Sequence, residues 1–133
     1  MTKNLLITGS ILAGLSVALG ALGAHWLKEN ISSAAVTSFQ TGVHYQMVHA
    51  LAILVMAALP LRFHNKPFRF AFYAFLTGTI LFSGSIYLLS TREITGWEWP
   101  WVGPVTPLGG LLFITGWILL IYAAPKAVDG LKD

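Results

Sequence analysis

Leu5-Leu6-Ile7-Thr8-Gly9-Ser10-Ile11-Leu12-Ala13-Gly14-Leu15-Ser16-Val17-Ala18-Leu19-Gly20-Ala21-Leu22-Gly23-Ala24 is an apolar run without a single charge. Coiled as a helix at 1.5 Å per residue it is about 30 Å long, the thickness of a bilayer's hydrocarbon core. It also imitates a signal peptide, with Lys3 in front and the small residues Ala21 to Ala24 behind. The run is long for the apolar stretch of such a signal, so it reads as an anchor that stays.

Three further runs follow, at roughly 44–61, 68–90 and 104–124. Pro60 and Arg62 mark the end of the second; Pro104 opens the fourth and Pro125 closes it, because proline suits a helix start and opposes its continuation. The runs are continuous and lack period-two alternation, which favours helices over barrel strands. Composition agrees. Of 133 residues, 10% are charged and 56% are hydrophobic, whereas a soluble domain carries about 25% charged residues to coat its surface. The fold class is therefore an all-α membrane protein, an antiparallel bundle of four transmembrane helices forming a single domain over residues 1–133.

Between the first two runs, Trp26 to Gly42 is more polar, with Lys28, Glu29, Asn30, Ser32, Ser33, Thr37, Ser38, Gln40 and Thr41. Asn30 or Ser32 can cap a helix there. Ile31, Ala34, Ala35, Val36 and Phe39 give the segment an apolar side, which suits an interfacial helix between spans 1 and 2. Extension of span 2 toward the N-terminus is the other reading of residues 30–43.

Charge sets the expected orientation. With four spans, Lys3, Arg62, Lys66, Arg69, Lys126 and Lys132 lie on one side and only Lys28 and Arg92 on the other. By the positive-inside rule both termini face the cytoplasm, in the inner (plasma) membrane. Trp26, Trp97, Trp99 and Trp101 then fall at the outer interface, where indoles prefer to sit. The formal net charge of +3 comes from these flanking residues and not from a soluble basic patch, so nucleic acid is not an expected partner. Cysteine is absent, which excludes disulfides, thiolate metal sites and cysteine nucleophiles.

Helices in lipid associate through close packing at small residues. Gly9 with Ala13, Gly14 with Ala18, and Gly20 with Ala24 share faces of the first span; Gly78 with Ser85, and Gly109 with Gly116, stand one heptad apart in the third and fourth. These faces exceed the needs of one bundle, so a homo-oligomer or a membrane-protein partner is expected beside the membrane lipids.

The hydrogen-bonding side chains gather toward the outer half: His25 ends the first span, His44, Gln46 and His49 open the second, Ser83, Ser85 and Tyr87 lie in the third, and Thr106 opens the fourth. Polar groups in a membrane need partners or a wet cavity. The expected site is one connected, outward-facing polar pocket centred on His49, about 7 Å inside the apolar boundary by helix rise. Tyr87 or Ser83 are the expected partners of its ring. His44 and His49 are five residues apart, about 140° around a helix, and do not form the paired histidines of a metalloprotease. No span contains a carboxylate, no Gly-x-Ser-x-Gly elbow occurs, and no phosphate-loop lysine follows the glycines. His64, in the charged loop, reads as a solvated or headgroup-contacting residue.

Four ordered motifs carry a resemblance: Gly20-Ala21-Leu22-Gly23-Ala24-His25, Thr41-Gly42-Val43-His44-Tyr45-Gln46-Met47-Val48-His49-Ala50-Leu51, Leu81-Phe82-Ser83-Gly84-Ser85-Ile86-Tyr87, and Thr106-Pro107-Leu108-Gly109-Gly110 followed by Gly116-Trp117. With them the chain resembles the YgdD-like family of small multi-pass membrane proteins, a domain of unknown function with bacterial and mitochondrial-type members. The resemblance implies four spans in an inner membrane and carries no catalytic role to any residue.

The leading expectation is a non-enzymatic binding or assembly module for a lipid-like or quinone-like molecule, or for a membrane partner. The second is a redox or haem-binding subunit using His25 with His49 or His44. The third is a small transporter or channel, which the apolar inner half does not favour.

Overall fold

A computed structural model describes the backbone of residues 1–129 and the side chains of residues 1–124. Lys132, one of the charges that set the expected orientation, lies outside the described residues. Among the described residues there are four long helices: α1 (Thr2–Leu22), α2 (Ser33–Ala58), α3 (Lys66–Ser90) and α4 (Val105–Asp129). All four are long and apolar enough to cross a membrane. Val17, Val55 and Ile121 are each more than 60% exposed, which is the outer face such helices present to lipid.

Their ends differ from the expected ones in instructive ways. α1 continues through a π-helical turn, Gly23–Leu27, and one more turn to Asn30. The polar stretch is therefore no separate interfacial helix. Its first part finishes α1, the chain breaks at Ile31 and Ser32, and its second part forms the first three turns of α2. Ser32 provides the start: its hydroxyl accepts from the Ala35 N–H at 3.3 Å, and Ala34 and Ala35 follow as strong helix formers. Asn65 caps α3 in the same way, accepting from the Phe68 N–H at 3.2 Å. α4 runs on past Pro125 to Asp129. Proline there costs one i→i−4 bond near the helix end and does not force the turn to stop.

Consecutive helices pack as neighbours, α1 on α2, α2 on α3 and α3 on α4. At the end of the bundle that holds Met1, an apolar core joins Leu5, Ile53, Met56, Phe68, Phe72, Phe75 and Ala123. Asn65 ties the start of α3 to the end of α4 by donating to the Ala123 carbonyl at 2.9 Å. His64 is half-buried, its ring stacked on Phe68 with centroids 4.8 Å apart. At the opposite end Trp97, Trp99 and Trp101 stack in sequence, with centroids 5.4 and 5.5 Å apart. This tryptophan end has the character of a headgroup-level belt.

Glycine makes the seams. A Cβ on Gly9 would stand 2.7 Å from Leu54, on Gly78 2.7 Å from Phe113, on Gly116 2.5 Å from Phe75, and on Gly109 2.7 Å from the Cα of Phe82. Gly14 meets nothing within 4 Å, so its face is not used inside one chain.

Candidate functional site

α2 supplies the polar centre because of its register. Phe39, Gly42, Gln46, His49, Ile53 and Met56 are all buried, and they recur at alternating steps of three and four, the spacing of a coiled-coil seam. Two of the six are polar, and each has found partners.

Gln46 joins three helices. Its Nε2 donates to the Leu12 carbonyl of α1 at 2.9 Å, and its Oε1 accepts from the Tyr87 hydroxyl of α3 at 2.9 Å. The carbonyl can only accept, so the amide can take only this orientation. Beside it the Ser83 hydroxyl donates to the Gly42 carbonyl at 2.7 Å, and Tyr87 packs on Phe39 with centroids 4.8 Å apart. Helical side chains lean toward the start of their own helix, which lets Tyr87, near the end of α3, reach back to Gln46.

Ser85 and Thr106 form a second group. Their hydroxyls are 2.6 Å apart, and the Ser85 hydroxyl also donates to the Phe82 carbonyl at 2.9 Å. Serine has one proton, so Thr106 is the donor between them. This bond ties α3 to α4.

His49 forms a third group and meets neither Tyr87 nor Ser83. Its Nδ1 is 2.8 Å from the Tyr45 carbonyl, and its Nε2 is 3.3 Å from Nε1 of Trp117. The carbonyl can only accept and the indole can only donate, so the ring is the neutral Nδ1–H tautomer. It stacks on Phe113 at a centroid distance of 3.5 Å and an angle of 7°, with Phe75 at 5.2 Å. It is also deeper than expected. With α2 starting at Ser33, His49 lies about 24 Å from the first residue of the helix and about 14 Å from the last, in its middle third.

The expected single pocket is thus three separate hydrogen-bonded groups. His25 stands exposed in the π-helical turn and His44 stands exposed on α2, its ring edge-on to Tyr45 at 5.7 Å. Neither joins the groups above. Among the described residues no three His, Asp or Glu side chains gather as metal ligands.

Two features were missed in the sequence. The first is an open aromatic cleft of about 530 Å³, lined by Tyr45, His49, Phe82, Gly110, Phe113 and Trp117. Trp117 could have been found there, since it follows Phe113 by four residues on α4. The second is at the tryptophan end, where both carboxylate oxygens of Glu93 accept from Ser32, from the hydroxyl at 2.7 Å and from the backbone N–H at 2.8 Å. Nothing in the sequence relates these two residues, which are 61 positions apart.

Those two bonds, the hydroxyl's first, together with Arg92 hold the Glu93 carboxyl below the usual carboxylate range. A depressed carboxyl stabilises the folded arrangement above its ordinary pKa and stops doing so as the pH falls through the depressed value. The Ser32 amide resonance should therefore shift with a midpoint below the usual carboxylate range, and Glu93→Gln should abolish the titration. A midpoint at the ordinary carboxylate value would count against the tether.

The family follows from comparison with known proteins. A family model described as "Protein of unknown function (DUF423)" matches residues 19–110. The chain belongs to this family. It is 40% identical over 125 residues to the UPF0382 membrane protein YwdK of Bacillus subtilis (strain 168), covering 93% of this chain and 98% of the relative. It is 40% identical over 126 residues to a UPF0382 membrane protein of Haemophilus influenzae, covering 94% and 97%. It is 38% identical over 123 residues to the UPF0382 inner membrane protein YgdD of Escherichia coli (strain K12), covering 92% and 90%. No solved structure matches it. The DUF423 match contains the three hydrogen-bonded groups except Leu12, Phe113 and Trp117, and it contains the Ser32–Glu93 tether.

Proposed function

We propose that this DUF423 protein is a non-enzymatic binding module of the inner membrane, taking a flat, quinone-like headgroup from the bilayer into its aromatic cleft. The observation that supports this reading is the wall made by His49, Phe113 and Trp117 beside open space of about 530 Å³. Planar conjugated rings stack well on such a wall. The Tyr45 hydroxyl bonds to no other described residue and would donate to a ring carbonyl, while Leu111 and Ile114 continue the lining toward lipid for an apolar tail. The haem reading is supported less, because the Nε2 that an iron would take from His49 already accepts from Trp117. If copies associate, Gly14 and Ala18 offer a face that no helix of the same chain covers.

The test uses full-length protein in lipid nanodiscs with the other four tryptophans replaced by Phe, so that Trp117 alone fluoresces. Decylubiquinone should quench it saturably, and Phe113→Ala should raise the half-saturating concentration about tenfold, as loss of a stacked ring entails. Quenching that rises linearly with quinone content and is unchanged in Phe113→Ala would sink the proposal.

The same reading places both termini in the cytoplasm, supported by the distribution of Lys and Arg. A reporter fused after Asp133 should be active only in its cytoplasmic form. Activity of a periplasmic reporter at that position would overturn this orientation.

A further inference from the structure

A second cleft, of about 450 Å³, opens at the tryptophan end between the start of α2, the end of α3 and the start of α4. Its lining includes Ser32, Ser38, Ser90, Arg92, Glu93 and Thr106. Ser90 is the unusual member. It is 4% exposed, and its hydroxyl is buried with no hydrogen-bond partner among the described residues. A buried hydroxyl without a partner is costly, and a serine this close to a helix end has several ways to avoid the cost. Arg92 adds a charge. Among the described residues its guanidinium has no carboxylate within salt-bridge reach, and Glu93 beside it turns both oxygens to Ser32.

We infer that this cleft receives a phosphate group, held by the Arg92 guanidinium and the Ser90 hydroxyl. The chemistry decides the ligand class. Arg92 can only donate, Ser90 and Ser38 have protons to give, and Glu93, the cleft's one charged acceptor, turns both its oxygens to Ser32. A group rich in acceptors and negatively charged matches that set, and a guanidinium fork fits phosphate oxygens in particular. Ile86, Leu89, Ala34 and Ala35 complete the lining with apolar surface. The stacked tryptophans place this end at the level where phospholipid headgroups lie. The inference does not rest on the quinone reading, which concerns a different cleft at a different depth.

The experiment is native mass spectrometry of the full chain released from nanodiscs of equal parts phosphatidylglycerol and diacylglycerol with matched tails. Phosphatidylglycerol should be retained preferentially. Arg92→Gln and Ser90→Ala should each reduce its retention about tenfold, the size expected for losing a hydrogen bond to a charged group. Arg92 is exposed and its replacement leaves the helix packing untouched. Phe113→Ala should change nothing here, so failure of one site is distinguishable from failure of the other. A parallel run with millimolar inorganic phosphate identifies the source: displacement of the lipid means free phosphate occupies the cleft, and persistence means the headgroup does. Equal retention of the two lipids, or retention unaffected by both substitutions, overturns the inference.

Discussion

Gly109→Ala should cost about 3 kcal/mol of stability, at the upper end of what overpacking does. The added methyl would stand within 2.7 Å of the Phe82 Cα and Cβ and closer still to its backbone nitrogen. A side chain can rotate away from such a contact, but a backbone cannot. The α3–α4 pair must therefore separate, and separation disturbs both the Gly78–Phe113 and the Gly116–Phe75 contacts along the same seam. Neighbouring glycines supply the control. At Gly110 the nearest atoms are 3.8 Å away, and at Gly14 nothing lies within 4 Å. Alanine at either should be neutral or stabilising, by up to about 1 kcal/mol from helix propensity. Unfolding of the four proteins in mixed micelles by SDS titration gives the comparison. Similar midpoints for Gly109→Ala and Gly110→Ala would rule out the close approach.

That contrast shows where a sequence is silent. Spacing marks Gly109 and Gly116 as a pair, and it marks Gly14 and Ala18 equally well, yet only the first pair meets a neighbouring helix. The difference lies in which face turns inward, and in lipid an apolar outer face carries no polar pattern to reveal it. The four spans were legible for the opposite reason: length and hydropathy are direct consequences of bilayer thickness. The start of α2 was not, since Ser32 to Gly42 is polar enough to lie in the interface and helical enough to extend the span. That single boundary moved His49 from the rim to the middle third of its helix, and with it the partner changed from Tyr87 to Trp117. A better signal was present. The alternating three- and four-residue steps from Phe39 to Met56 define one buried seam, and reading them would have joined the start of α2 to its end. Ser32 with Glu93 stayed hidden because only the folded chain brings them together.

Gln46→Leu should destabilise the protein by about 2 kcal/mol, and most of that should come from one hydroxyl that loses its main acceptor. Gln46 serves two groups, but they are not equally dependent on it. The Leu12 carbonyl keeps the Ser16 hydroxyl at 3.0 Å after the substitution. The Tyr87 hydroxyl keeps only the neighbouring Ser83 side chain, whose own proton goes to the Gly42 carbonyl, so a half-buried donor loses its main acceptor. Tyr87→Phe alone should cost about 1 kcal/mol, leaving Gln46 still bound to Leu12. If the bond between the two side chains exists, the double variant should cost less than the sum of the singles, by about 1 kcal/mol. Interhelical hydrogen bonds in membranes are commonly weaker than their depth suggests, because an unfolded chain in the bilayer also finds partners, so the coupling should not exceed about 1.7 kcal/mol. The measurement is a double-mutant cycle by the same SDS titration. Strict additivity would mean that Gln46 and Tyr87 act independently, and α2 and α3 would then be joined by packing and the Ser83–Gly42 bond.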